Sequence, residues 1–117
     1  MGELTQSQFE EAVRRGEHDL AIKPRARAAR YDRGSGHVVI DLVSGATFSF
    51  PAALAQGLER ANAGQLEKVE IAGAGFGLHW EELDADLTVE GLLAGRFGSV
   101  AYMAQRFGSD WDSEAAE

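Results

Sequence analysis

The chain has 117 residues, 44% of them hydrophobic and 26% charged, which is an ordinary globular composition with room for a single domain. It contains no cysteine, so disulfide bridges and thiolate chemistry are excluded. No run approaches the ~20 apolar residues that cross a bilayer, and the first residues lack the basic region and apolar core of a secretory signal. We therefore expect a cytoplasmic protein that does not enter a membrane.

The formal net charge of −8 is unevenly distributed. Residues 1–33 hold seven of the eleven Lys and Arg residues, whereas residues 34–117 hold four of them against thirteen acids. A field of that sign repels nucleic-acid phosphates and attracts basic proteins. We therefore expect a basic protein partner and no direct binding of nucleic acid. Solubility alone is the simpler explanation of the same charge.

A helix is predicted near the start of the chain. Thr5 and Gln8 have the spacing of a capping box, and Phe9 and Val13 share the apolar side of the helix, which Gly16 would end.

Between Arg25 and Phe50 the apolar residues alternate with polar ones, as in strands that are buried on one face. Turn-forming residues at 32–36 and at Ser44-Gly45 divide this region into three segments. The sequence therefore predicts an antiparallel three-stranded meander.

One main helix is predicted to follow the meander. Pro51 is suited to a first helical turn, Leu54 and Leu58 follow at helical spacing, and residues 62–64 would end the element. Residues 66–72 are then predicted as a fourth strand of the sheet.

Two short helices are predicted near the end of the chain, capped by Thr88 and by Ser99. The apolar stripe of the second would consist of Val100, Met103 and Phe107. Altogether we expect an α+β fold in which a four-stranded antiparallel sheet packs with one main helix, flanked by the N-terminal and C-terminal helices. Residues 1–108 would form a single domain, and residues 109–117 a flexible acidic tail.

The segment from Phe76 to Leu93 is the strongest candidate for a functional surface, because it contains five acids and no base. Trp111 lies between two aspartates in the acidic tail and has the character of an aromatic anchor. Trp80, in contrast, is expected in the core, because large aromatic side chains usually bury their area. The predicted partner-binding residues are Glu81, Glu82, Asp84, Asp86, Glu90 and Trp111.

No catalytic arrangement is visible in the sequence. The motif Gly-x-Ser-x-Gly is absent, and Gly73-x-Gly75-x-Gly77 is followed by acids rather than by the Gly-Lys-Ser of a phosphate loop. We therefore predict a non-enzymatic protein without a cofactor. Because a short chain without disulfides depends on packing alone, association with a second copy is a further possibility.

Two other functions fit the same acidic segment. His79, Asp84 and Asp86 carry the atoms of a divalent-metal or small-ligand site, although the further oxygens and the glycine of an EF-hand are missing. An acidic face is also able to occupy a DNA-binding groove as a mimic of nucleic acid.

Residues 77–93 read Gly-Leu-His-Trp-x-x-Leu-Asp-x-Asp-Leu-x-Val-x-x-Leu-Leu. Together with Phe50-Pro51 and Phe97-Gly98-Ser99, this block resembles the domain of unknown function 2442 family of small bacterial and phage proteins. The resemblance implies a small α+β domain with an antiparallel sheet and one main helix, and it assigns no catalytic residue. It also implies an antitoxin-like protein, whose partner would be a small toxic protein from a neighbouring gene. Longer relatives carry a basic tail that could hold DNA, whereas residues 111–117 are acidic here.

Overall fold

The computed structural model describes residues 23–108. The predicted N-terminal helix and the predicted flexible tail with Trp111 concern residues outside this range.

The described residues form an α+β fold with two antiparallel sheets of three strands each. The first sheet has the order β1-β2-β3 and the second β4-β5-β6. The strands are β1 (Ala26–Asp32), β2 (His37–Leu42), β3 (Thr47–Pro51), β4 (Glu70–Ala72), β5 (Gly77–Trp80) and β6 (Ala85–Thr88).

The predicted meander is confirmed as the first sheet, and its turns lie where the sequence placed them. In the first turn the Gly36 amide donates to the Asp32 carbonyl over 2.8 Å. In the second, the Gly45 amide donates to the Leu42 carbonyl over 2.9 Å, and Gly45 has a φ of 102°. A glycine suits that position because a side chain would be strained there.

A β-bulge in β1 sets which side chains face the core. Ala26 lies opposite Leu42, but Ala28 already lies opposite Asp41, so Arg27 is the extra residue. A bulge reverses the side-chain alternation beyond it. Consequently Ala26 and Tyr31 both contact the core, although they are five positions apart and would face opposite sides of a regular strand.

The prediction of one main helix after the meander is wrong. Residues Ala52–Leu54 form a single 3₁₀ turn, and the chain then continues in turns until a short helix, α1 (Ala63–Leu66). Gly57 breaks the helical path with a φ of 89°, and a Cβ there would lie 3.0 Å from that of Ala85. Leu54 and Leu58 have helical spacing in the sequence. Leu58 nevertheless lies in a turn, and its side chain is buried there because the chain passes close to β6.

The residues expected to end that helix begin one instead. The Asn62 side chain accepts a hydrogen bond from the Gln65 amide over 2.8 Å, and the Gln65 side chain accepts one from the Asn62 amide over 3.0 Å. This reciprocal capping box starts α1.

The prediction of a single four-stranded sheet is also wrong, because the strands form two separate sheets. The predicted fourth strand is shorter, Glu70–Ala72, and it pairs with β5 rather than with the meander. The strands β5 and β6 were not predicted, although polar and apolar residues alternate from Asp84 to Glu90, which is the pattern of a strand with one buried face. Asp84, with a φ of 50°, makes the turn between them.

Both helices predicted near the end of the chain are confirmed, as α2 (Val89–Leu93) and α3 (Val100–Phe107). The Thr88 and Ser99 hydroxyls accept the capping hydrogen bonds over 3.0 and 3.1 Å. On α3 only Met103 of the predicted stripe is buried, whereas Val100 is 74% and Phe107 41% exposed. None of the helices within residues 23–108 is long and apolar enough to cross a membrane.

Trp80 is fully buried in the core that joins the two sheets, as the sequence predicted. Its indole Nε1 donates to the Leu66 carbonyl over 3.1 Å, so the polar atom of the ring has a partner. Within residues 23–108 no polar or charged side chain is buried. Candidate functional groups of this part of the chain therefore lie at its surface.

Candidate partner-binding surface

The carboxylates predicted to bind a partner lie on the β5–β6 hairpin and at the start of α2, which we call the acidic hairpin (residues 77–90). From residue 84 to 90 exposed and buried residues alternate strictly, with Ala85, Leu87 and Val89 in the core. All five carboxylates are exposed: Glu81, Glu82, Asp84, Asp86 and Glu90. The alternation over residues 84–90 thus places the apolar side chains on the buried face and the acidic side chains on the exposed face.

His79 lies between two of these carboxylates. Its Nδ1 donates to Asp86 Oδ1 over 2.7 Å from the opposite position on β6, and its Nε2 donates to Glu81 Oε2 over 2.9 Å. Hydrogen bonds to Glu81 and Asp86 raise the pKa of His79 from 6.5 to about 9. The imidazole therefore carries a proton on both nitrogens at neutral pH.

A separate ion pair joins Glu82 to Lys68. Lys68 Nζ lies 2.6 Å from Glu82 Oε2, and this hydrogen bond holds the pKa of Glu82 below its usual value. The pair links the turn after β5 to the residues that precede β4. Beside it runs an open groove of about 410 Å³, lined by Lys68, Val69, Glu70, Glu81 and Glu82.

Asp84 and Glu90 form no ion pair or side-chain hydrogen bond with any residue from 23 to 108. Lys68 and protonated His79 together contribute two positive charges against these five carboxylates and the neighbouring Glu70, which leaves a local charge of −4. Asp84 and Glu90 provide half of this uncompensated negative charge.

The proposed ligands of a metal are only partly brought together. His79 contacts Asp86, but neither forms a hydrogen bond with Asp84. Across the part of the chain that the structure describes, no three His, Asp or Glu side chains are grouped as metal ligands. Since both nitrogens of His79 donate to carboxylates, a metal ion would have to displace a proton to bind there.

Lys68 and Glu70 belong to this surface but were not predicted from the sequence. They precede and begin β4, and Glu70 lies directly opposite His79 across the sheet. Lys68 and Glu70 reach this surface only because β4 pairs with β5, and that pairing was not predicted from the sequence. Trp111, the remaining predicted contact residue, lies outside the described residues.

Comparison with known proteins identifies relatives but no activity. A protein of unknown function from Rhodospirillum rubrum is 60% identical, with a TM-score of 0.67 over 70% of this chain and 99% of that protein. An uncharacterized protein from Chromobacterium violaceum, solved by solution NMR, is 26% identical, with a TM-score of 0.70 over 92% of this chain and 97% of that one. No curated protein matches the chain.

The sequence also matches the pattern of a protein family over residues 26–98, which begins at β1 and includes both sheets and the whole acidic hairpin. That range is more than half of the chain, and it contains the His-Trp-x-x-Leu-Asp-x-Asp motif of residues 79–86. The chain belongs to the DUF2442 family, a family of proteins of unknown function.

Proposed function

We propose that this protein is a non-enzymatic, cytoplasmic interaction module that binds a basic protein, in the manner of an antitoxin that binds a toxin from a neighbouring gene. The observation that carries the proposal is the alternation along residues 84–90, which turns the acids outward while apolar neighbours anchor the strand. A surface of this kind has a hydrogen-bonded strand backbone and a negative field. Both properties favour association with Lys and Arg side chains.

The ion pair between Glu82 and Lys68 does not prevent such binding. The Glu82 and Lys68 side chains are 47% and 67% exposed, and exposed pairs of this kind contribute only about 0–1 kcal/mol. An arginine from a partner is able to replace Lys68 at little cost and to bind the carboxylate with two parallel hydrogen bonds. Asp84 and Glu90 need no rearrangement at all.

The proposal is tested with the double variant Asp84→Asn/Glu90→Gln in the full-length chain. Both replacements keep the size of the side chain, and asparagine tolerates the left-handed backbone of Asp84. A matched control, Asp41→Asn/Glu59→Gln, removes the same charge outside the acidic hairpin. Affinity capture from native extract, followed by titration of the purified partner, should show binding about tenfold weaker for the first variant and almost unchanged for the control.

Two results would contradict this function. One is that no basic protein is retained by the wild-type chain. The other is that the two double variants bind the retained protein equally, which would mean that the contact depends on overall charge or lies elsewhere. The predicted contribution of Trp111 is measured in the same titration with Trp111→Ala.

Cation or small-ligand binding remains the second candidate, because the structure brings His79 and Asp86 to 2.7 Å. A cation at a hundredfold excess over its Kd stabilises a protein by about 2.7 kcal/mol, which a thermal-shift measurement detects readily. No shift with millimolar Ca²⁺, Mg²⁺, Mn²⁺ or Zn²⁺ would exclude these ions. Mimicry of nucleic acid has less support, since residues 23–108 carry nine Lys and Arg residues against ten Asp and Glu residues.

A further inference from the structure

The two sheets leave two outward edges among the described strands. β1 and β4 lie side by side, so the edges that point away from the other sheet belong to β3 and β6. Free edges expose unpaired backbone groups that invite a further strand, and proteins usually protect them with charges, bulges or proline. The two edges differ sharply in this respect.

Among residues 23–108, the β6 edge is protected by charges and the β3 edge is not. β6 carries Asp86 and follows Asp84, and like charges opposite each other disfavour pairing with a second copy. β3 reads Thr-Phe-Ser-Phe-Pro, with no charge, no bulge and a proline only at its last position. Threonine and phenylalanine are also strong strand formers.

The hydrogen bonds at both ends of the β2–β3 pair show which backbone groups of β3 are unpaired. The Leu42 amide donates to the Ala46 carbonyl over 2.8 Å, and the Ala52 amide donates to the Gly36 carbonyl over 3.0 Å. Bonded and non-bonded pairs alternate along an antiparallel ladder. The even-numbered residues of β3 therefore bond to β2, and the odd-numbered ones direct their amides and carbonyls outward.

We propose that β3 pairs with β3 of a second copy of this chain, antiparallel and two-fold symmetric about Ser49. In this register the Ser49 amide of each copy donates to the Ser49 carbonyl of the other. The Thr47 amide of each copy donates to the Pro51 carbonyl of the other. Pro51 has no amide, so the Thr47 carbonyl of the other copy finds no donor there. Because Pro51 is the last residue of β3, the missing hydrogen bonds lie at the two ends of the ladder and not in its middle.

The side chains of β3 suit the same arrangement. Phe48 is only partly buried, with its ring centroid 6.3 Å from that of Phe50 on the core side of the sheet. A second β3 would bring its own Phe50 beside this ring, and aromatic pairs across neighbouring strands are favourable. On the other face, Thr47 and Ser49 are exposed, small and uncharged, so two copies meet without a clash.

A second copy fits the β3 edge better than a charged partner does. β3 has no charged side chain that would attract such a partner, and its outward amides and carbonyls pair with the same groups of another β3. The contact lies on the opposite edge from the acidic hairpin. It therefore does not depend on the proposed binding of a basic protein.

The test is the molar mass of the full-length protein by size-exclusion chromatography with light scattering, over a range of concentrations. We expect the wild-type mass to approach twice 12.6 kDa as concentration rises. Ser49→Lys should reduce the mass to 12.6 kDa, because the two-fold axis sets the lysines opposite each other at about 5.5 Å between Cα atoms. Ala28→Lys is the control, since it adds the same charge to an exposed position of β1 and should leave the larger mass unchanged.

Mixing two variants tests the register directly. Ser49→Lys and Ser49→Glu should each be monomeric alone and should recover the doubled mass together, since opposite charges then face each other across the axis. A wild-type mass of 12.6 kDa at all concentrations would overturn the proposal. So would a doubled mass that survives in Ser49→Lys, or a failure of the folded variants to recover it when mixed.

Discussion

His79 is the residue whose ionisation links most directly to stability. Its pKa is raised in the folded chain to about 9 from 6.5, so folding favours the protonated form. The stabilisation is complete below about pH 6.5 and is lost as the pH rises through 9.

We predict that the melting temperature of the wild-type chain falls more between pH 6 and pH 9.5 than that of His79→Gln. The variant should be less stable at the lower pH and should approach the wild type at the higher one. The titration of the His79 ring followed by NMR should have its midpoint near 9, and Asp86→Asn should lower that midpoint. A midpoint near 6.5 in the wild type would show that the contacts with Glu81 and Asp86 do not form in solution.

Trp80 stabilises the core through both its volume and its hydrogen bond to Leu66. Trp80→Phe keeps an aromatic ring but leaves the Leu66 carbonyl without its donor. This should lower the free energy of unfolding by about 1–3 kcal/mol. Trp80→Ala also leaves a cavity and should cost about 3–5 kcal/mol. Denaturation in urea measures both values. Equal stability of Trp80→Phe and the wild type would show that the hydrogen bond contributes nothing.

At the scale of elements, the features that depend on few neighbouring residues were predictable. The caps at Thr88 and Ser99 and the turns of the meander require only a local pattern, and the structure confirms them. The exposure of Asp84, Asp86 and Glu90 follows equally from the alternation between polar and apolar residues over residues 84–90. These are the parts of the fold and of the candidate site in which local preference and tertiary packing agree.

The features that depend on distant contacts were not predictable. Leu54 and Leu58 suggested a helix, but the close approach of Gly57 to Ala85, which only the folded chain reveals, requires a turn. The second sheet consists of strands of three or four residues, so the pairing of Glu70 with His79 leaves no sequence pattern. The same reason explains why Lys68 was missed as a member of the candidate surface.

At the scale of the whole molecule, most of the net negative charge lies outside the described residues. Residues 23–108 carry nine bases and ten acids, a formal charge of −1, so residues 1–22 and 109–117 together carry −7 of the total of −8. The acidic hairpin is thus a local feature of a nearly balanced domain. The specificity of the proposed contact therefore depends on where its carboxylates lie, and the net charge acts at longer range.

The two sheets share one hydrophobic core and should therefore unfold together. Ile40 and Phe50 of the first sheet belong to the same buried cluster as Leu78 and Trp80 of the second. In a Trp111→Phe background, Trp80 fluorescence reports on the second sheet, and far-UV circular dichroism reports on all described elements. We predict coincident thermal transitions from the two signals.

A substitution in the first sheet tests this cooperativity more strictly. Phe50→Leu should destabilise by about 1 kcal/mol, which corresponds to a fall of about 4–8 °C in the melting temperature of a domain of this size. Because the core is shared, Trp80 fluorescence in the other sheet should register the same fall as circular dichroism. If the Trp80 transition stays in place while the circular dichroism splits into two steps, the sheets are separate folding units. The prediction of a single domain over residues 1–108 would then be wrong.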